Sequence, residues 1–239
     1  MLSPQPHALD LQPLTIRRAQ AFGLRLPMKK PVLMAGVRLE HSENFLLRLE
    51  ADDGTVGWGE ASSAPQHGGS TVQEMMQAWQ ALQARVTGAD AMALGGLTQQ
   101  LYDGVKIGKS ALGALDMALH DLVGRHLNVP AHVLLGGLRR KAVSPLWLLG
   151  TGQRDTDLAE AQARYAEGYR FFKLKVGVRA LEEEIEMALA LRSALGDELR
   201  LCADANMGMN ADQAIAYAQG VLPARLEFFE QPLAREDLT

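Results

Sequence analysis

Two lysines, Lys173 and Lys175, lie two residues apart in the otherwise apolar run "FFKLKVG". Successive side chains of a strand point to opposite faces. This spacing therefore places both ammonium groups on one face, with Phe172, Leu174 and Val176 on the other. Considered without its neighbours, such a pair is also typical of a solvated face of an antiparallel sheet. The residues that follow favour a chemical site.

Acidic and amide side chains recur at the ends of the next two predicted strands. Asp204 and Asn206 lie in "LCADAN", and Glu230 lies in "LEFFEQP". Asp204 follows Lys175 by 29 residues and Glu230 follows Asp204 by 26, close to the roughly 30 residues of one βα unit. Because α/β proteins build sites at the carboxyl ends of parallel strands, we expect these side chains to converge. The alternatives are Asp204 or Asn206 as a helix N-cap, and Glu230 as a strand-end surface residue.

These residue types together indicate metal-assisted proton abstraction. The hard oxygens of Asp204 and Glu230 suit Mg²⁺, which often binds through few protein ligands. A divalent ion there would hold a substrate carboxylate and stabilise the negative charge that develops when the adjacent carbon loses its proton. A lysine can be the base only if its pKa falls from about 10.4 towards neutrality, and a second ammonium, burial and a nearby metal ion act in that direction. We therefore predict Lys175 as the base, with Lys173 helping to keep it neutral while contacting the substrate.

The elements that carry these residues alternate between strands and helices. Apolar runs ending in "WLLG", "KLKVG", "CADAN" and "FFEQP" are separated by predicted helices over 155–168, 179–195 and 211–220. Such alternation favours βα units with a parallel sheet. The fold class is therefore predicted as α/β in this part of the chain.

The N-terminal part lacks that repeat and predicts an α+β arrangement. The segment "NFLLRLEADDGTVGWGEA" is typical of a hairpin that turns at Asp52, Asp53 and Gly54. The Pro- and Gly-marked segment over 27–43 is predicted as a loop. Helices are predicted over 71–86 and 109–126, the second from leucines at helical spacing.

Length and composition place the chain in an ordinary globular class. It has 239 residues, 47% hydrophobic and 22% charged, and a formal net charge of −4. Neither the charge nor its distribution suggests a nucleic-acid partner. Its one cysteine, Cys202, excludes an intrachain disulfide and fits a reducing compartment. Without a predicted membrane span or signal segment, we expect a cytoplasmic protein with no membrane partner.

The sequence resembles the enolase superfamily, in its mandelate racemase and muconate-lactonizing enzyme subgroup. The resemblance extends over nearly the whole chain. Its C-terminal motifs are "KLK", "DAN" and "EQP", in the family's order. Its N-terminal motifs are "GWGEA" at 57–61, "ALDMALHDLVG" at 114–124 and "PAHVLLGG" at 130–137.

This resemblance implies both a fold and a reaction. It implies an α+β capping domain over 1–137 and the N-terminal half of a (β/α) TIM-type barrel over 138–239. It also implies Mg²⁺ bound by Asp204 and Glu230, with abstraction of a proton α to a substrate carboxylate to give an enediolate. Loops over 26–42 and 61–69 are expected to select a small carboxylate substrate, and the family favours a homo-oligomer.

The family pattern is only partly present in this sequence. Four strand candidates follow residue 137, and the family's third metal carboxylate and opposite-face lysine are expected further along a chain than Thr239. A complete TIM-type barrel takes about 250 residues. We therefore expect an incomplete barrel that belongs to a longer protein, with a second completing chain or an inactive product as alternatives. The rival functions are a non-enzymatic assembly piece and a simple metal- or carboxylate-binding module.

Overall fold

A computed structural model describes residues 12–34, 37–65, 68–102, 105–106 and 108–237 of the chain. The chain forms two compact units, mainly Leu39–Arg139 and mainly Arg140–Thr239. Each unit has its own cluster of buried apolar side chains. Among the described residues, no helix combines the length and the apolarity needed to cross a bilayer.

The first unit combines an antiparallel sheet with helices. Its three strands lie in the order β1-β2-β3, and its elements are β1 (Ile16–Met34), β2 (Val37–Ala51), β3 (Val56–Ser62), α1 (Val72–Val86), α2 (Leu94–Tyr102), α3 (Ser110–His126) and α4 (Ala131–Leu134). The predicted hairpin is present: β2 pairs with β3, and Gly54 in its turn has φ +86°. Thr71 and Glu74 form a capping box that begins α1, which satisfies free backbone N–H groups at that end.

Helix α3 packs closely on β3 because β3 carries glycines where the helix crosses it. A Cβ added to Gly59 would lie 2.7 Å from the backbone nitrogen of Ala118. The buried side chains that α3 contributes include Leu115, Leu119 and Leu122. The "GWGEA" motif therefore has a packing reason: only glycine admits the helix at this distance.

The loop predicted over 27–43 is not present as a loop. Strand β1 continues to Met34 and β2 begins at Val37, whereas positions 35 and 36 lie outside the described residues. Pro27 lies inside β1, which is an edge strand of its sheet, and an edge strand tolerates a residue that cannot donate a ladder hydrogen bond. Pro27 therefore does not mark a loop, although proline commonly does. The predicted loop over 61–69 falls partly on positions 66 and 67, which also lie outside the described residues.

The second unit is the predicted series of βα units. Its elements are β4 (Leu146–Leu149), α5 (Arg154–Ala166), β5 (Phe171–Lys175), α6 (Leu181–Leu195), β6 (Arg200–Asp204), α7 (Ala211–Gly220) and β7 (Phe229–Glu230). The four strands lie in the order β4-β5-β6-β7, and each pairs in parallel with the next. This confirms the α/β prediction, an N-terminal α+β domain followed by the first part of a (β/α) barrel.

Burial along the strands separates an apolar face from a polar one. Phe172 and Leu174 of β5 are buried in the core of the second unit, whereas Lys173 and Lys175 lie on the opposite face, as the alternation predicts. Cys202 is fully buried. The apolar face of the sheet packs against the helices, and the polar side chains lie on the opposite face.

Candidate active site

Strand register brings the predicted site residues together at one edge of the sheet. Lys175 lies opposite Asp204, and Asp204 lies opposite Glu230. The ladder continues one step further, because the Val176 N–H donates to the Asp204 carbonyl at 3.1 Å. Each of these side chains ends a parallel strand, where such sheets place their sites.

Asp204 is the centre of the cluster. Its side chain is only 2% exposed, and its Oδ2 accepts from Lys175 Nζ at 2.5 Å and from Lys173 Nζ at 2.9 Å. The Asn206 backbone N–H donates to Oδ1 at 3.0 Å. Burial raises the pKa of the Asp204 carboxyl, but the bonds from Lys175 and Lys173 outweigh burial and hold that pKa below its ordinary value of 3.8.

Lys173 bridges the two carboxylates. Its Nζ donates to Glu230 Oε2 at 2.5 Å and lies 2.9 Å from Asp204 Oδ2. Burial lowers the pKa of the Lys173 ammonium, but the bonds to Glu230 and Asp204 outweigh burial and raise that pKa above its ordinary value of 10.5. Lys173 is therefore a charged partner of both acids in this arrangement.

Asn206 contacts the predicted base directly. Lys175 Nζ donates to Asn206 Oδ1 at 2.5 Å, and Asn206 Nδ2 donates to Asp204 Oδ2 at 3.3 Å. Asn206 has φ +45°, a left-handed conformation that asparagine adopts more readily than most residues. Helix α7 begins instead at Asn210, which forms its capping box with Gln213. The alternative interpretation of Asp204 or Asn206 as its N-cap is wrong.

The chemistry of the donor set fits a divalent cation. Asp204 Oδ2 and Glu230 Oε2 both contact the Nζ atom of Lys173. The two oxygens therefore lie close enough together to bind one cation. Mg²⁺ is often bound by one or two carboxylates and keeps several waters. Among the described residues, no group of three or more His, Cys, Asp or Glu side chains could hold a metal. Within the described part of the chain, a site built here would use these two carboxylates.

One buried carboxylate near the cluster was not predicted from the sequence. Glu184 of α6 is 4% exposed and accepts hydrogen bonds from the loop that follows Lys175. It lies in the first turn of α6, which has three consecutive glutamates, and glutamates are usually exposed to solvent. The residue types alone therefore do not show that this carboxylate is buried. Glu184 also lines a cavity of about 340 Å³ that contains Lys175 in its wall but none of Lys173, Asp204 and Glu230.

Two protein-family models match successive parts of the chain. Residues 18–136 match the N-terminal domain of mandelate racemase and muconate lactonizing enzyme. Residues 157–239 match the enolase C-terminal domain-like family.

Individual relatives carry names from the same group. The D-galactarolactone cycloisomerase of Agrobacterium fabrum is 30% identical, over 87% of this chain and 56% of the relative. The aromatic dipeptide epimerase of Herpetosiphon aurantiacus is 28% identical, over 94% of this chain and 63% of the relative. The crystal structure of the muconate lactonizing enzyme of Pseudomonas fluorescens, complexed with muconolactone, superposes with a TM-score of 0.87 at 25% identity, over 95% of this chain and 62% of that one.

The chain thus spans about three fifths of the length of the relatives that it matches. Both units match the same group, one by its capping domain and the other by its barrel domain. The fold, the two family matches and the named relatives agree. The chain belongs to the enolase superfamily, in its muconate-lactonizing enzyme-like subgroup.

Proposed function

We propose that this chain carries one half of the active site of a Mg²⁺-dependent enzyme that abstracts the proton α to a substrate carboxylate, giving an enediolate. The observation that carries the proposal is the contact of two lysines, Lys173 and Lys175, with the one buried carboxylate of Asp204. Racemisation or epimerisation, cycloisomerisation and β-elimination all start from this proton transfer. The names of the relatives, cycloisomerases and epimerases, favour an isomerase.

Each side chain has a proposed role. Lys175 is the base that takes the α proton at its Nζ, and Asn206 orients that nitrogen through its Oδ1. Lys173 binds the substrate carboxylate with its ammonium group. Asp204 and Glu230 hold Mg²⁺, which when bound supplies positive charge against the negative charge that develops on the substrate.

The lysines and the metal ion use the same carboxylate oxygens. Both ammonium groups contact Asp204 Oδ2, and Asp204 is also a proposed metal ligand. The proposed base and the proposed metal ligand are therefore direct neighbours in the site.

The partners follow from the same proposal. The substrate is a small carboxylate, and the remaining barrel strands come from a C-terminal segment or from a second chain. A homo-oligomer in the cytoplasm is the assembly that we propose.

The test is exchange of the substrate α proton with solvent deuterium, followed by proton NMR. The purified chain is incubated in D₂O with Mg²⁺ and a panel of N-acyl amino acids, dipeptides and muconate-like acids. Lys175→Ala is compared with Lys141→Ala, which removes an exposed lysine. We expect exchange that needs Mg²⁺ and falls about 10²- to 10⁴-fold in Lys175→Ala, the usual contribution of a general base.

Exchange that persists in Lys175→Ala would refute the role of this lysine. Lack of exchange in the wild-type chain with every substrate would contradict the expectation that this half of the site abstracts the α proton by itself. It would favour a binding or assembly role instead. An equal loss in Lys141→Ala would point to general damage.

A further inference from the structure

The Glu184 carboxylate accepts hydrogen bonds from the backbone of the loop that follows the proposed base. It is the fourth residue of α6 and is 4% exposed. Its Oε2 accepts from the Gly177 N–H at 2.8 Å, and its Oε1 accepts from the N–H groups of Val178 and Arg179, each at 3.0 Å. One carboxylate thus binds three consecutive N–H groups, starting two residues after Lys175.

That loop lies directly against the loop that follows Asp204. Gly177 has φ +82°, and a Cβ added to Gly208 would lie 2.7 Å from the Gly177 carbonyl oxygen. A Cβ added to Gly177 would in turn lie 3.2 Å from the Cβ of Ala205. The two glycines let the backbones meet without an intervening side chain. Because the two loops are in direct contact, a displacement of one loop would also displace the other.

The second loop has a backbone that needs such support. Asn206 and Met207 both have positive φ, +45° and +68°, which is rare for two consecutive residues with side chains. Strained conformations of this kind persist only where the surroundings hold them. On one side the Met207 N–H donates to the Gln231 carbonyl at 2.8 Å. On the other side the support is Gly177, which Glu184 binds.

We propose that Glu184 is a positioning residue for the site. By binding the loop 177–179 it keeps Gly177 against Gly208, and so holds Asp204 and Asn206 in place beside Lys175. This inference rests on the proposed function, because it concerns the geometry of the proposed metal ligand and base. Glu184 itself contacts none of the proposed catalytic side chains among its described hydrogen bonds.

The chemistry explains why a carboxylate is needed here. Three N–H donors converge on two oxygens, and a glutamine would offer one oxygen and turn its NH₂ group towards a donor. Glu184→Gln therefore keeps the size of the side chain but loses acceptors for this loop.

The chain contains a matched control one βα unit earlier. Asp157 is the fourth residue of α5, is 6% exposed, and accepts from the N–H and the Oγ1 of Thr151 and from the Gly152 N–H. It secures the loop after β4 as Glu184 secures the loop after β5. However, β4 carries none of the proposed site residues. Asp157 lines the same cavity as Lys175 and Glu184, but its hydrogen bonds go to Thr151 and Gly152 and not to the loop 177–179, so Asp157→Asn removes a comparable structural bond from a different loop.

The experiment compares Glu184→Gln with Asp157→Asn by two measurements on the 239-residue chain. The first is hydrogen exchange of the amides over 205–209, several of which are hydrogen-bonded to carbonyls at 230–232. The second is Mn²⁺ affinity by EPR. We expect Glu184→Gln to speed the exchange about tenfold and to weaken Mn²⁺ binding about tenfold or more, as loss of groups that orient metal ligands usually does. Asp157→Asn should change the Mn²⁺ affinity less than about twofold.

Gly208→Ala is the second variant, in case Glu184→Gln does not fold. Its methyl group displaces the same contact from the other side, so it should also weaken Mn²⁺ binding. Equal effects of Glu184→Gln and Asp157→Asn, or faster exchange at 177–179 with 205–209 unchanged, would overturn the inference. If the wild-type chain binds no Mn²⁺, the proposed metal site fails, whereas exchange over 205–209 still decides the role of Glu184.

Discussion

At the scale of single residues, the site is a network of opposite charges around Asp204. The sequence predicted the shared face of Lys173 and Lys175, because strand alternation depends only on local geometry. It could not predict that Lys173 would reach Glu230 as well as Asp204, since that depends on strand register and side-chain rotamers. Glu184 went unrecognised for the same reason: its three donors come from a loop whose path is not readable from residue types.

The ion pairs of Asp204 predict an acid-dependent loss of stability in the metal-free chain. The Asp204 pKa in the folded chain lies below its ordinary value of 3.8. The stabilisation is therefore complete above that value and is lost as the pH falls through the folded-state pKa. We expect Asp204→Asn to cost about 2 kcal/mol at neutral pH, with the difference from wild type shrinking below about pH 4. Urea unfolding in EDTA at several pH values measures this, and a difference independent of pH would contradict it.

Cys202 should be chemically inert in the folded chain. It is fully buried, and burial raises the pKa of its thiol to about 11. Near pH 8 only about one molecule in a thousand would carry the reactive thiolate, even if reagents could enter. We expect a disulfide reagent such as Ellman's to label one thiol per chain in guanidinium and almost none, within minutes, in native buffer. Equal rates in the two buffers would show that β6 is not packed as described.

At the scale of elements, the repeat of strand and helix was readable and some details were not. The predicted helices over 155–168, 179–195 and 211–220 correspond to α5, α6 and α7, because each has uninterrupted helical spacing between glycines or other breakers. The segment over 27–43 was misjudged because Pro27 was interpreted without knowing that β1 is an edge strand. The start of α7 was predicted correctly at residue 211, whereas the alternative N-caps Asp204 and Asn206 were wrong, because only Asn210 has the capping geometry.

Helix α3 offers a paired test of its contact with β3. In Gly59→Ala the new Cβ would meet the backbone of α3, with Ala118 N at 2.7 Å, and backbone cannot move aside as a side chain can. We expect a loss of about 3 kcal/mol or more of unfolding free energy. Gly113→Ala, in α3 with no atom within 4 Å of the new Cβ, should instead gain about 0.5–1 kcal/mol from helix propensity. Thermal or urea unfolding measures both, and similar effects of the two variants would contradict the described packing.

At the scale of the whole molecule, the chain combines a capping domain with the first part of a (β/α) barrel. The sequence allowed the family to be recognised because its motifs lie where the fold uses them: glycines of "GWGEA" under α3, and Lys175, Asp204 and Glu230 at the ends of consecutive strands. The domain boundary predicted after residue 137 and the roles of the site residues stay predictions. The chain spans about three fifths of the relatives that it matches, so the substrate and the product stay proposals.

Asp204 and Glu230 are proposed to form one divalent-metal site, and a Mn²⁺ titration followed by EPR would measure binding at that site. The wild-type chain is compared with Asp204→Asn, Glu230→Gln and the control Glu227→Gln. Glu227 lies three residues before Glu230 and pairs with Arg200 instead. We expect one bound Mn²⁺ per chain, with an affinity that is weakened about tenfold or more by each of the first two substitutions and unchanged by the third. Absence of binding in wild type, or equal affinity in all four proteins, would contradict this expectation.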